Sequence, residues 1–369
     1  MEIVATWLST APGGAERSVA ELSEALQQQG HRVRVVLWEK TPGAGGVLPG
    51  GAAVVRPTNA AAYRRALTEA LRPGAVLIGT HRTAAVDIEV ARERGAVVLC
   101  VLRALLVPGG RLRLLDPGTG RLTPTPLGRL DWERLAGADC WVGVSAAATA
   151  SLLQAAPLPV QVATIYNGIP LPERARVRPA CAVRRLAVVA RLEEWKNIDR
   201  VLAAFAALPA WAADRTRLEV IGDGPARARL EALTARLGLG ERVCFHGHVQ
   251  DWSGLADVVV SASTDEAFGR SVVEAGAAGL PQIVPDRGGQ SELVLNEVTG
   301  LVYDTSDPAS LTEAMARAAA WPQPRYTRLA RAARAHALRY GIGPCAAAYA
   351  DLAADLAADL AASGLRAAA

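Results

Sequence analysis

The sequence predicts an α/β protein built from two open parallel sheets in tandem, on three observations. Short apolar runs alternate with amphipathic helical stretches from end to end, the pattern of parallel strands joined by crossover helices. The series stops and restarts across Pro170-Leu171-Pro172-Glu173-Arg174-Ala175-Arg176-Val177-Arg178-Pro179, which is polar, proline-rich and without periodicity, as a linker is. The length of 369 residues divides into two domains at the ~150 residues one domain usually needs.

In the first series the expected strands are residues 3–8, 33–38, 76–80, 97–102, 140–145 and 160–166. In the second they are 186–190, 218–221, 243–246, 258–262, 282–285 and 301–303. The expected domains are 1–172 and 173–340, followed by a C-terminal helix over 341–369 that packs back toward the first domain. Its repeat, Asp351-Leu352-Ala353-Ala354 taken three times over, suits a plain terminal helix.

Composition excludes several classes. At 51% hydrophobic and 21% charged residues the chain is neither disordered nor a small disulfide-stapled scaffold. A net charge of +4 is too weak and too evenly spread to indicate a nucleic-acid partner. Five cysteines without a C-x-x-C pair read as reduced thiols, and the amino terminus lacks a signal peptide's features, so a soluble cytoplasmic protein is expected. The uncharged stretch 140–172 is broken by four prolines and by Ser, Thr, Gln and Asn, and fails as a membrane span.

Parallel sheets bind ligands at the carboxyl ends of their strands, so the loops there deserve the closest reading. After the first strand, Gly13-Gly14-Ala15-Glu16 forms a glycine turn opening a helix, where close backbone approach and free amides favour phosphate. Arg191 and Lys196 follow the first strand of the second series, where a fork and a point charge could share one diphosphate, unless Glu193 and Glu194 merely neutralise them. Gly222 and Gly224 leave room for something pressed on the backbone. The third glycine of a dinucleotide fingerprint is missing, since position 227 is Arg. The strongest set is Thr264 to Gly276: Glu266 in a loop and Glu274 beyond it with seven residues between them, around a helix start near Phe268 and Gly269. Carboxylates accept sugar and ribose hydroxyls, while a helix start suits phosphate.

Taken in order, Gly13-Gly14-Ala15-Glu16, Asn167-Gly168, Arg191 with Lys196, Gly222-Asp223-Gly224-Pro225, His246-Gly247-His248-Val249, the Glu266 and Glu274 pair, and Gly288-Gly289-Gln290-Ser291-Glu292 resemble the retaining glycosyltransferases of family four. The resemblance implies the GT-B fold, two Rossmann-like domains facing a central cleft, with a nucleotide sugar held by the second. It implies that Arg191 and Lys196 neutralise the donor diphosphate, helped by amides near Phe268 and Gly269. By the same resemblance Glu266 holds donor-sugar hydroxyls, Glu274 holds the ribose, His246 to Val249 lie by the nucleobase, and Gly14 lets the first domain close over the phosphates. Gly222 belongs to the donor set.

Many members of that family carry a histidine where this sequence has Arg103, and His81, after the strand 76–80, is the nearest replacement. Either His81 or Arg103 would supply the polar contact, or the position binds an acidic acceptor group. No Asp-x-Asp pair occurs, so no metal and no cofactor is expected beyond the donor substrate. Arg103, Arg111, Arg113 and Arg121 among leucines and glycines suggest a flexible acceptor-side loop ahead of a membrane foot. The expected reaction moves a hexose or amino-hexose from a nucleoside diphosphate sugar, UDP before GDP, to a hydroxyl acceptor. The Ala, Arg and Gly bias resembles a high-GC bacterial chain, which fits antibiotic, other natural-product or cell-envelope glycosylation. A sugar-nucleotide epimerase and a noncatalytic nucleotide-sugar-binding module are the alternatives.

Overall fold

A computed structural model describes residues 1–9, 13–39, 53–55, 59–107, 110–115, 122–172 and 183–363. The chain divides into two compact units, Met1–Pro170 with Ile342–Ala369, and Leu171–Gly341. The first unit holds a seven-stranded sheet in the order β3-β2-β1-β4-β5-β8-β9. Its strands are β1 (Glu2–Ser9), β2 (Arg32–Glu39), β3 (Ala53–Val55), β4 (Val76–Thr80), β5 (Val97–Leu102), β8 (Cys140–Gly143) and β9 (Val162–Thr164). Every pairing in this sheet is parallel. β4 and β5 are buried along their whole length, as the unbroken apolar runs of central parallel strands require.

Between β5 and β8 lies an antiparallel pair, β6 (Arg111–Leu115) and β7 (Leu122–Pro126). The flexible loop expected here is therefore in part a hairpin, with Arg121 and the glycines at 109, 118 and 120 outside the described residues. The alternation of Arg and Leu in β6 is a strand period, and in a two-stranded ribbon Pro124 and Pro126 can occupy edge positions without breaking a central ladder.

The second unit holds a six-stranded parallel sheet, β12-β11-β10-β13-β14-β15. These strands are β10 (Arg185–Val189), β11 (Arg217–Ile221), β12 (Val243–Gly247), β13 (Val258–Val260), β14 (Gln282–Pro285) and β15 (Gly300–Tyr303). One face carries a large core centred on Leu186, Val188, Leu202, Phe205, Leu218 and Val220, and the other a smaller one around Ala187, Ile221, Val259, Ala275 and Leu280. Asp257 ties the entry of the sheet together, its carboxylate accepting from the Arg184 and Arg185 amides at 2.9 and 2.8 Å.

The terminal helix Ile342–Ser363 returns to the first unit and lies against the helix Gly14–Gln28. Its Ile342 amide donates to Ile169 O at 2.9 Å, and Gln29 Nε2 donates to Gly343 O at 3.0 Å. No helix among the described residues is long and apolar enough to cross a membrane.

Candidate donor and acceptor sites

In the second sheet, strand order reverses between β10 and β13. Loops leaving neighbouring strands at such a switch point diverge to opposite faces and leave a crevice between them. Arg191 and Lys196 leave β10, and Glu266 leaves β13. The crevice is closed by the Lys196 ammonium donating to Glu266 Oε2, with both side chains largely buried. Lys196 also sits 3.8 Å above the Trp195 ring centroid. Arg191 remains half exposed, its Nε 3.2 Å from Glu193. Glu193 therefore screens only one of the two cations, and the other is paired within the switch-point crevice.

Glycines fix this arrangement by steric necessity. A Cβ on Gly222 (φ +131°) would lie 1.9 Å from Ala190 O, and one on Gly224 2.5 Å from Leu192 O. The backbone these glycines admit is thus that of the Arg191 loop, pinned by Leu192 N donating to Asp223 O at 3.0 Å. Gly288 and Gly289 do the same for the Glu266 loop. Gly289 N donates to Glu266 O at 2.8 Å, and a Cβ there would meet Ala267 O at 2.1 Å.

The helix Arg270–Ala278 follows Gly269, which has φ +103° and provides no side-chain cap. Its amino end, with Gly269 buried and Arg270 and Ser271 partly so, is the anion-favouring feature expected after Phe268. Phe268 itself is buried and meets Tyr340 edge-on at 6.0 Å. Glu274 lies in the second turn, 3.4 Å from the Arg270 guanidinium. His246 turns its Nε2 to Glu219 Oε2 at 2.6 Å, and Val249 packs against the smaller core.

In the first sheet the reversal falls between β1 and β4. Gly14 opens the helix after β1, with Ser18 Oγ donating back to its carbonyl at 2.8 Å. His81 follows β4 and is buried, its Nδ1 accepting from the Arg103 amide at 3.4 Å. Burial, then the charges of Arg82 and Arg103, lower its pKa to about 3, so the imidazole is neutral. The Arg103 guanidinium donates to Asn167 Oδ1 at 2.6 Å, which joins two positions singled out in the sequence.

Two family profiles match the chain, "Glycosyltransferase Family 4" over residues 12–173 and "Glycosyl transferases group 1" over 182–336. The chain belongs to the family-four glycosyltransferases. A D-inositol 3-phosphate glycosyltransferase of Xylanimonas cellulosilytica is 34% identical over 171 residues, 44% of this chain and 40% of the relative. A lipopolysaccharide core biosynthesis glycosyltransferase of Rhizobium meliloti, LpsD, is 36% identical over 107 residues, 28% of this chain and 31% of its own. The chain thus spans less than half the length of these curated relatives. Among solved structures, HepE of Anabaena in complex with UDP and glucose superposes with a TM-score of 0.75 at 20% identity, covering 96% of this chain and 100% of that one. The fold of this family member is GT-B, with two Rossmann-like parallel-sheet domains.

One polar cluster in this glycosyltransferase had no sequence signal. Asp87 is fully buried and accepts from Thr6 Oγ1 at 2.9 Å, Tyr63 OH at 2.6 Å and Thr83 Oγ1 at 2.6 Å. Burial raises its pKa to about 6 in spite of these three donors. A lone aspartate on the apolar face of a helix is the only trace it leaves in the chain.

Proposed function

We propose that this family-four glycosyltransferase moves a hexose or amino-hexose from a nucleoside diphosphate sugar, UDP before GDP, to a hydroxyl acceptor, with retention and without a metal. The observation that carries the reading is Lys196 and Glu266 meeting at the switch point of the second sheet, beside Arg191 and the start of helix Arg270–Ala278. As the bond from the anomeric carbon to the diphosphate oxygen breaks, negative charge grows on the leaving group and positive charge on the sugar. Arg191, Lys196 and the helix start stabilise the first, and Glu266 holds sugar hydroxyls. The leaving oxygen takes the acceptor proton on the face where the new bond forms, so configuration is retained.

Glu274 holds the ribose, and the segment from His246 to Val249 lies by the base. Gly14 belongs to the set that serves the donor phosphates, and either the neutral His81 or the Arg103 cation supplies the polar contact near the transferred sugar, or that position binds an acidic acceptor group. The name of the lipopolysaccharide-core relative supports cell-envelope glycosylation, with natural-product glycosylation as the other arm of the reading. The thiols of Cys100, Cys140, Cys244 and Cys345, all unpaired, support a reducing cytoplasm.

The test is incubation with UDP- and GDP-sugars and a panel of hydroxyl acceptors, with and without magnesium, followed by NMR of the product's anomeric proton. Transfer with the donor's anomeric configuration, unchanged by magnesium, is expected. Inverted product rejects retention, and a magnesium requirement rejects the metal-free reading.

A further inference from the structure

We infer that the edge of the second sheet carries a zinc site formed by Glu219, Cys244 and His246. Cys244 and His246 are alternate residues of the edge strand β12, so both side chains leave the same face. Glu219 on β11 is the register partner of Cys244 and leaves that face too. Their donor atoms, Oε, Sγ and a ring nitrogen, all lie within 4.8 Å of one another. Ligand bonds of ~2.0–2.3 Å around a tetrahedral ion set donor atoms roughly 3.3–3.8 Å apart. Side-chain adjustments of about an ångström therefore convert the cluster into a coordination shell.

The chemistry of the set selects the ion. Thiolate with imidazole and carboxylate suits zinc, whereas magnesium and calcium take oxygen. Cys244 is exposed while Cys100, Cys140 and Cys345 are buried, so this thiol alone among the described cysteines is open to an ion from solvent. Three protein ligands at a sheet edge leave the fourth position to water. On binding, the Cys244 thiol gives its proton to solvent, the His246 ring hydrogen moves to Nδ1, and Nε2 turns from Glu219 to the metal. The ion cross-links β12 to β11 at His246, the first residue of the segment 246–249. Only its consequence for the nucleobase rests on the proposed donor reading, and the site itself does not.

The full chain, freed of any tag and stripped with a chelator, is titrated with zinc and separately with cobalt. One ion per chain is expected, with a sulfur-to-cobalt charge-transfer band in the near ultraviolet. Cys244→Ser removes that band and weakens zinc by at least about tenfold, the lower edge even for residues that only support a ligand. Glu219→Gln weakens zinc while keeping the band. No zinc binding, cobalt binding without the thiolate band, or zinc affinity unchanged in Cys244→Ser overturns the site. Titrating UDP into the stripped chain keeps the two readings apart, because loss of UDP binding with the thiolate band intact rejects the donor site alone.

Discussion

Lys196 and Glu266 are 70 residues apart in sequence and in contact in the fold, so their roles can be separated by substitution. Glu266→Gln keeps the shape of the site but loses the carboxylate that receives sugar hydroxyls. Transfer should fall by about 10-fold or more, with UDP affinity changed far less, in paired kinetic and calorimetric measurements. At the same scale, two buried groups of the first unit impose opposing pH dependences. Asp87, held at about 6 against an ordinary 3.8, binds its proton more tightly folded than unfolded. Its contribution to stability is therefore lost as pH rises from about 4 to about 6. His81, held at about 3 against 6.5, is the reverse, and its contribution is lost as pH falls below about 6.5. His81→Gln should leave stability rising on acidification from pH 6 to 4, and Asp87→Asn should leave it falling, by about 2–3 kcal/mol in each case. Denaturant midpoints across that range check this, and identical profiles for the two variants contradict it.

Loops and strands set which residues the sequence could reveal. The central strands were legible because runs such as Val97 to Leu102 are apolar without interruption. The three-residue strand Ala53–Val55 and the hairpin strands Arg111–Leu115 and Leu122–Pro126 are too short or too polar for that signal. Arg191, Lys196, Glu266 and Glu274 were legible as types placed after strands. That Lys196 pairs with Glu266 rather than with Glu193 or Glu194 depends on strand order, which periodicity does not encode. Glu219, Cys244 and His246 were illegible as a group for the same reason, since register brings them together. The glycines carry a prediction at this scale. Gly289→Ala would drive a methyl into Ala267 O and shift the Glu266 loop. Transfer should drop by about 10-fold or more while circular dichroism stays that of the parent, and parental activity would show that the loop adapts without cost.

Across the molecule, the chain leaves the first unit at Pro170 and re-enters it at Ile342. Burial explains why the terminal helix is held in the first unit. Cys345, Ala346, Tyr349, Ala353 and Leu356 are all buried. Removing such a face costs several kcal/mol, a large part of the roughly 5–15 kcal/mol that stabilises a domain. A chain ending at Gly341 should lose amide protection throughout residues 1–170 and keep it in 183–341, as read by hydrogen exchange. Uniform protection in both would show that the helix is dispensable.

The donor diphosphate at the β10–β13 switch point is the claim on which the enzymatic reading stands. Calorimetric titration of UDP and of uridine into the parent and Lys196→Ala, with and without magnesium, tests it most directly. The parent should bind UDP irrespective of magnesium, and Lys196→Ala should weaken UDP by about 10–100-fold while leaving uridine unchanged. Equal weakening of UDP and uridine, or a parent chain that binds no UDP, would contradict it.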